Sequence, residues 1–97
     1  MAMTRLQFLL GKLSEECVEV AKIAHKAQQF GLYDKHPERD GTNQERIQQE
    51  LNDILAIVGM LNAEFEFEFC PDTIGIKVKI DKVNKYYEYS KNAGMVE

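Results

Sequence analysis

An all-α fold is what this 97-residue sequence predicts, organised as one small helical domain over residues 1–97, and three observations carry the prediction. Apolar residues recur at three- and four-residue steps over three long segments, the period of an amphipathic helix. Helix-start residues stand before the segments, and turn-forming residues fall between them. The one strictly alternating run, Glu64 to Phe69, has no second strand to pair with.

The first segment opens at Thr4, which fits a capping box with Gln7: each residue satisfies an amide that the helix end leaves unpaired. Leu6, Leu9, Leu10, Leu13, Cys17, Val20, Ala21 and Ala24 then form a stripe, so a helix is expected from about residue 5 to about Gln29, ahead of Gly31. Phe30 to Gly41 carries Gly, Pro, Asp and His with no apolar repeat and reads as a connecting loop. Thr42 and Glu45 make a second capping box, and Ile47, Leu51, Ile54, Leu55, Val58 and Leu61 place a helix over about 43 to 64. The run EFEFEF reads as an extended link or the frayed end of that helix, with Phe65, Phe67 and Phe69 available to a neighbouring subunit. After Pro71-Asp72-Thr73 a third helix is expected, striped by Ile76, Ile80, Val83 and Tyr87 and stopped near Gly94.

Composition excludes several function classes. A hydrophobic fraction of 44% with 29% charged residues is that of an ordinary globular chain, not a disordered one. Twelve Lys and Arg against 16 Asp and Glu leave a net charge of −4, which disfavours a phosphate backbone as partner, so no nucleic acid is expected. No stretch approaches the roughly 18 apolar residues of a spanning helix. Lys12, Glu15 and Glu16 interrupt the N-terminal apolar patch where a signal peptide would stay apolar. No membrane partner and a cytoplasmic location are the expectation. Cys17 and Cys70 lie in no CxxC pair, and Cys17, on the first stripe, reads as a small buried hydrophobe. His25 and His36 have no ligand partner nearby and read as incidental. Three apolar stripes exceed what so short a chain covers by itself, so a homo-oligomer, dimer or tetramer, is expected.

The chemistry concentrates in two acidic runs, Glu15-Glu16-x-x-Glu19 in the first helix and Glu50-x-x-Asp53 in the second. At about 100° per residue, Glu16 and Glu19 share one flank of the first stripe while Glu15 turns nearer to solvent. Glu50 and Asp53 share a flank of the second stripe. Either run alone is an ordinary solvated face; together, beside apolar stripes that must pack, they bring carboxylates to one core edge. Such a group repels itself unless a cation neutralises it, and hard divalent ions prefer oxygen ligands. Magnesium is the expected metal, with manganese as substitute; a ferritin-like site would need Glu-x-x-His pairs, which this chain lacks. Lys12 projects one turn before Glu16 on the same flank, and Lys79, Lys82 and Tyr86 share one edge of the third stripe.

In these residues the sequence resembles the all-α NTP pyrophosphohydrolases, in particular the MazG-like branch. The pattern covers the first two helices, about half the chain, and the C-terminal KIDKVNKYYEYSKNAG is similar, more weakly, to the basic, tyrosine-bearing last helix of short MazG-like proteins. Thirty residues separate Glu19 from Glu50, on the long side for this motif. The resemblance implies that Glu16, Glu19, Glu50 and Asp53 bind magnesium, and that a nucleoside triphosphate is hydrolysed to the monophosphate and pyrophosphate. Glu15 would orient or deprotonate the attacking water, Lys12, Lys79, Lys82 and Tyr86 would contact substrate, and an aromatic of the loop, Phe30 or Tyr33, would stack on a base. The motif leaves open a relative acting on phosphoribosyl-ATP or dUTP, and a non-catalytic helical module that keeps the acidic motif.

Overall fold

A computed structural model describes residues 1–97 and contains three helices and no strand: α1 (Arg5–Phe30), α2 (Asn43–Phe65) and α3 (Thr73–Asn92). Both capping boxes form. The Thr4 Oγ1 accepts from the Gln7 amide at 3.1 Å, and Thr42 and Glu45 reciprocate in the same way at the start of α2. No helix is long and apolar enough to cross a membrane.

α1 and α2 form an antiparallel hairpin tied at both ends. At one end the Arg5 guanidinium donates to both carboxylate oxygens of Glu64, at 3.0 and 3.3 Å. At the other, Gly31 ends α1 with a φ of +101°, a conformation that favours glycine, and its carbonyl accepts from the Asn43 side chain at 2.9 Å. The amides of Asn43 and Gln44 bond back to the carbonyls of Asp34 and Leu32, which holds the loop against the start of α2. Asn43 is thereby a buried polar residue with its bonds satisfied.

The hairpin core is thin. Leu9, Ile23 and Leu61 are its only fully buried apolar side chains. On α1 the buried face is centred on Leu9, Ile23 and the half-buried Leu13, Val20 and Ala27. The other part of the predicted stripe, Leu6, Leu10, Cys17, Ala21 and Ala24, is exposed. Cys17 is therefore not the buried hydrophobe its position in the stripe suggested: a stripe this wide has two edges, and α2 covers only one of them.

The EFEFEF run is also not an extended link. α2 continues to Phe65, and Glu66 and Glu68 then adopt left-handed backbone, with φ of 53° and 58°. Two such residues in three steps curl the chain and prevent a strand. The curl is held by the Asn62 side chain, which donates to the Phe69 carbonyl and accepts from its amide, both at 2.9 Å. Asp72 then caps α3 by accepting from the Ile74 amide at 3.1 Å. No Cα of α3 lies within 8 Å of one in α1 or α2, and the helix has no buried residue.

Candidate metal centre on the hairpin edge

The carboxylates converge where the two helices of the hairpin face each other. One oxygen from each of Glu16, Glu50 and Asp53 lies within 4.8 Å of the other two, and all three residues are half-buried. The convergence follows from pattern and topology together. In an antiparallel pair, the flank that carries Glu16 and Glu19 on α1 and the flank that carries Glu50 and Asp53 on α2 meet along the same edge.

Glu50 is the strained member. Its Oε2 is sealed from solvent and has no hydrogen-bond partner, because an ionised carboxylate has no proton to donate to another. The first reason the Glu50 carboxyl is pushed up to about 7 is its side-chain hydrogen bond to Glu16, which the protonated form alone can make. Burial and the negative charges of Glu16, Asp53 and Glu19 act in the same direction. No basic side chain enters the trio, since the four ion pairs are Arg5–Glu64, Lys12–Glu15, Lys22–Glu19 and Lys77–Asp81.

The remaining candidates fall at graded distances from this centre. Glu19 is half-buried beside it, near enough to act on Glu50 by charge, but is paired with Lys22 at 3.5 Å and stands outside the trio. Glu15 is exposed and takes the Lys12 ammonium at 3.2 Å, while Lys12 also lies 5.5 Å from the Phe8 ring centre. Lys79, Lys82 and Tyr86 are exposed on α3, which does not pack on the hairpin, so one protomer does not bring them to the carboxylates. Tyr33 is exposed on the loop. His25 is exposed, and His36 uses Nδ1 to accept from the Glu38 amide at 3.1 Å.

Two cationic residues belong to the same edge and were not anticipated. Arg46 precedes Glu50 by one helical turn, and its Nη1 is sealed from solvent with no acceptor. With Lys26, Phe30, Asp34, His36 and Pro37 it lines a cleft of about 190 Å³ at the loop end of the hairpin. The cleft therefore has an aromatic wall, and Arg46 sets it one helical turn from Glu50. The signal was present in the i,i+4 spacing of Arg46 and Glu50, but the partner residues arrive from α1 and the loop, which spacing along α2 does not reveal.

The donor set suits a hard divalent cation. It contains carboxylate oxygens alone, with no nitrogen or sulfur to favour zinc or copper, and its member Glu50 has a buried oxygen without a partner. Compared with protein-family models, with curated proteins and with solved structures, the chain finds no match.

Proposed function

We propose that this chain is a magnesium-dependent nucleotide pyrophosphohydrolase of the MazG-like type, converting a nucleoside triphosphate and water to the monophosphate and pyrophosphate. The observation that carries the reading is the convergence of Glu16, Glu50 and Asp53 across two helices with no basic residue among them. Like charges held this close stabilise nothing in the fold, and a cation-binding role accounts for them. The all-α pyrophosphohydrolase architecture and a homo-oligomeric state belong to the same proposal, the first supported by the acidic motif on a helical hairpin and the second by the apolar faces left open.

Glu16, Glu50 and Asp53 would hold the metal, with Glu19 beside them. Magnesium, when bound, neutralises phosphate oxygens and acidifies water in its shell; manganese can do the same. The protein's own contribution is placement. Glu50, raised to about 7 by its neighbours, would have to lose its proton for both it and Glu16 to serve as ionised ligands. Arg46 and Lys26 extend the edge with positive charge, so a polyphosphate lying along it meets cations at the loop end, with Phe30 offering a face for a base. Lys12 sits one turn before Glu16 and Glu15 directly precedes it, where they would contact phosphate and water respectively. Lys79, Lys82 and Tyr86 reach substrate in this scheme only from another copy.

The test is a turnover screen of canonical, deoxy and damaged nucleoside triphosphates, with phosphoribosyl-ATP, with and without magnesium, reading pyrophosphate separately from orthophosphate. Pyrophosphate with the matching monophosphate is the expected product pair. Asp53→Ala should lose turnover and keep its helical circular dichroism; full activity in that variant removes the proposal. Orthophosphate alone would signal a γ-phosphatase, and magnesium-dependent thermal stabilisation without any hydrolysis would favour the non-catalytic module.

A further inference from the structure

The protomer is far too open for a chain that stands alone. Its accessible surface is 8082 Å², whereas a compact monomer of this mass exposes about 5,700 Å². The radius of gyration is 17.2 Å, against about 12.5 Å for a compact domain of this length. The excess of about 2,400 Å² per protomer, counted for two protomers, falls in the range that obligate dimers bury.

The uncovered surface is not scattered. By helical spacing, the carboxylate edge and the exposed part of the α1 stripe lie on opposite sides of the hairpin. Leu6, Leu10, Cys17 and Ala21 on α1 share that far side with Leu51 and Leu55 on α2, and Leu51 and Leu55 are 47% and 61% exposed. The second open surface is the Ile76, Ile80, Val83 and Tyr87 stripe of α3, whose steps of four, three and four residues make a narrow packing seam. The seam does not rest on its own hairpin, because the left-handed link and the Asn62 clamp on Phe69 direct α3 away.

We infer that the occupant of both surfaces is a second copy of this chain, with α3 of each copy laid by its Ile76–Tyr87 seam on the Leu6–Leu10–Leu51–Leu55 face of the other. The inference sharpens the homo-oligomer reading and stands apart from the catalytic one, since it rests on packing and its test reads mass and thiol exposure, not turnover. Exchange of this kind gives each thin hairpin a third helix. It also covers Cys17, which lies in that face.

The experiment uses the full chain and its Cys70→Ser variant, in which Cys17 is the sole thiol. Sedimentation velocity should give the mass of two chains, or an even multiple, across micromolar concentrations. Under the same native conditions Cys17 should react with a bulky aromatic disulfide reagent at least tenfold more slowly than after denaturation. An Ile80→Asp, Val83→Asp double variant should fall to the mass of one chain. A folded wild-type monomer overturns the inference, and a monomer with Cys17 protected shows α3 folded back on its own hairpin. A doubled mass with freely reactive Cys17 overturns the assigned face, and a double variant that keeps the dimer overturns the role of α3. Should the variant unfold, the wild-type mass and Cys17 protection still decide the matter.

Discussion

Removing one charge from the trio should make the metal-free protein more stable. Glu50→Gln keeps the size of the side chain and can donate a hydrogen bond to Glu16, as the protonated Glu50 does, but it has no charge to repel its neighbours. The folded chain raises Glu50 from 4.5 to about 7, which at about 1.36 kcal/mol per unit sets a ceiling of about 3 kcal/mol on the destabilisation at alkaline pH. Solvent around the half-exposed Glu16 and Asp53 screens the repulsion, so a gain of about 1–2 kcal/mol is expected. For a domain of this size that corresponds to a rise in Tm of about 5–10 °C. The direction with pH follows from linkage: a carboxyl raised on folding leaves stability intact below its unfolded value near 4.5 and removes it as the pH climbs through about 7. The variant should therefore exceed wild type at pH 8 in chelator and match it at pH 4, measured by circular dichroism melts at one fixed protein concentration. Magnesium should narrow the gap at pH 8 by stabilising wild type. A variant no more stable than wild type at pH 8, or equally improved at pH 4, would refute the account of a self-repelling centre.

Three further outcomes follow from the packing. Leu61→Ala empties a fully buried site and should lower the urea midpoint by the equivalent of about 2–5 kcal/mol without a change of slope. Asn62→Ala should release the link, so that the Phe69 amide exchanges about fivefold faster or more, while exchange at the Ile23 amide stays as in wild type. Glu64→Gln should be less stable than wild type at pH 7 and equal to it near pH 3: the hydrogen bond from Arg5 holds the Glu64 carboxyl below its ordinary range, so its contribution is present above that range and disappears as the pH falls.

What was legible in the sequence is what short-range physics decides. The bounds of α1, α2 and α3 follow from Thr4, Thr42 and Asp72 as caps and from apolar spacing, because a helix start is settled by bonds between residues three apart. The pairing of Glu16 with Glu50 and Asp53 was legible too, since the acidic residues flank stripes that had to meet. What the stripe could not reveal is which of its edges α2 covers. Leu9 and Cys17 look equivalent in the pattern, yet one is buried and the other open, because the register of two helices depends on contacts between residues tens of positions apart. Arg46 was overlooked for the same reason, its cleft being assembled from α1, the loop and α2.

The sequence by itself determined the number of helices, their ends, and an oxygen-only set of acidic side chains at helical spacing, since each of these is local. Only the tertiary structure decided that three carboxylates meet without a cation and that Lys26 and Arg46 gather at the loop end of the same edge. It alone also decided that α3 leaves the hairpin, because two left-handed glutamates and one asparagine clamp set a direction that no periodicity encodes.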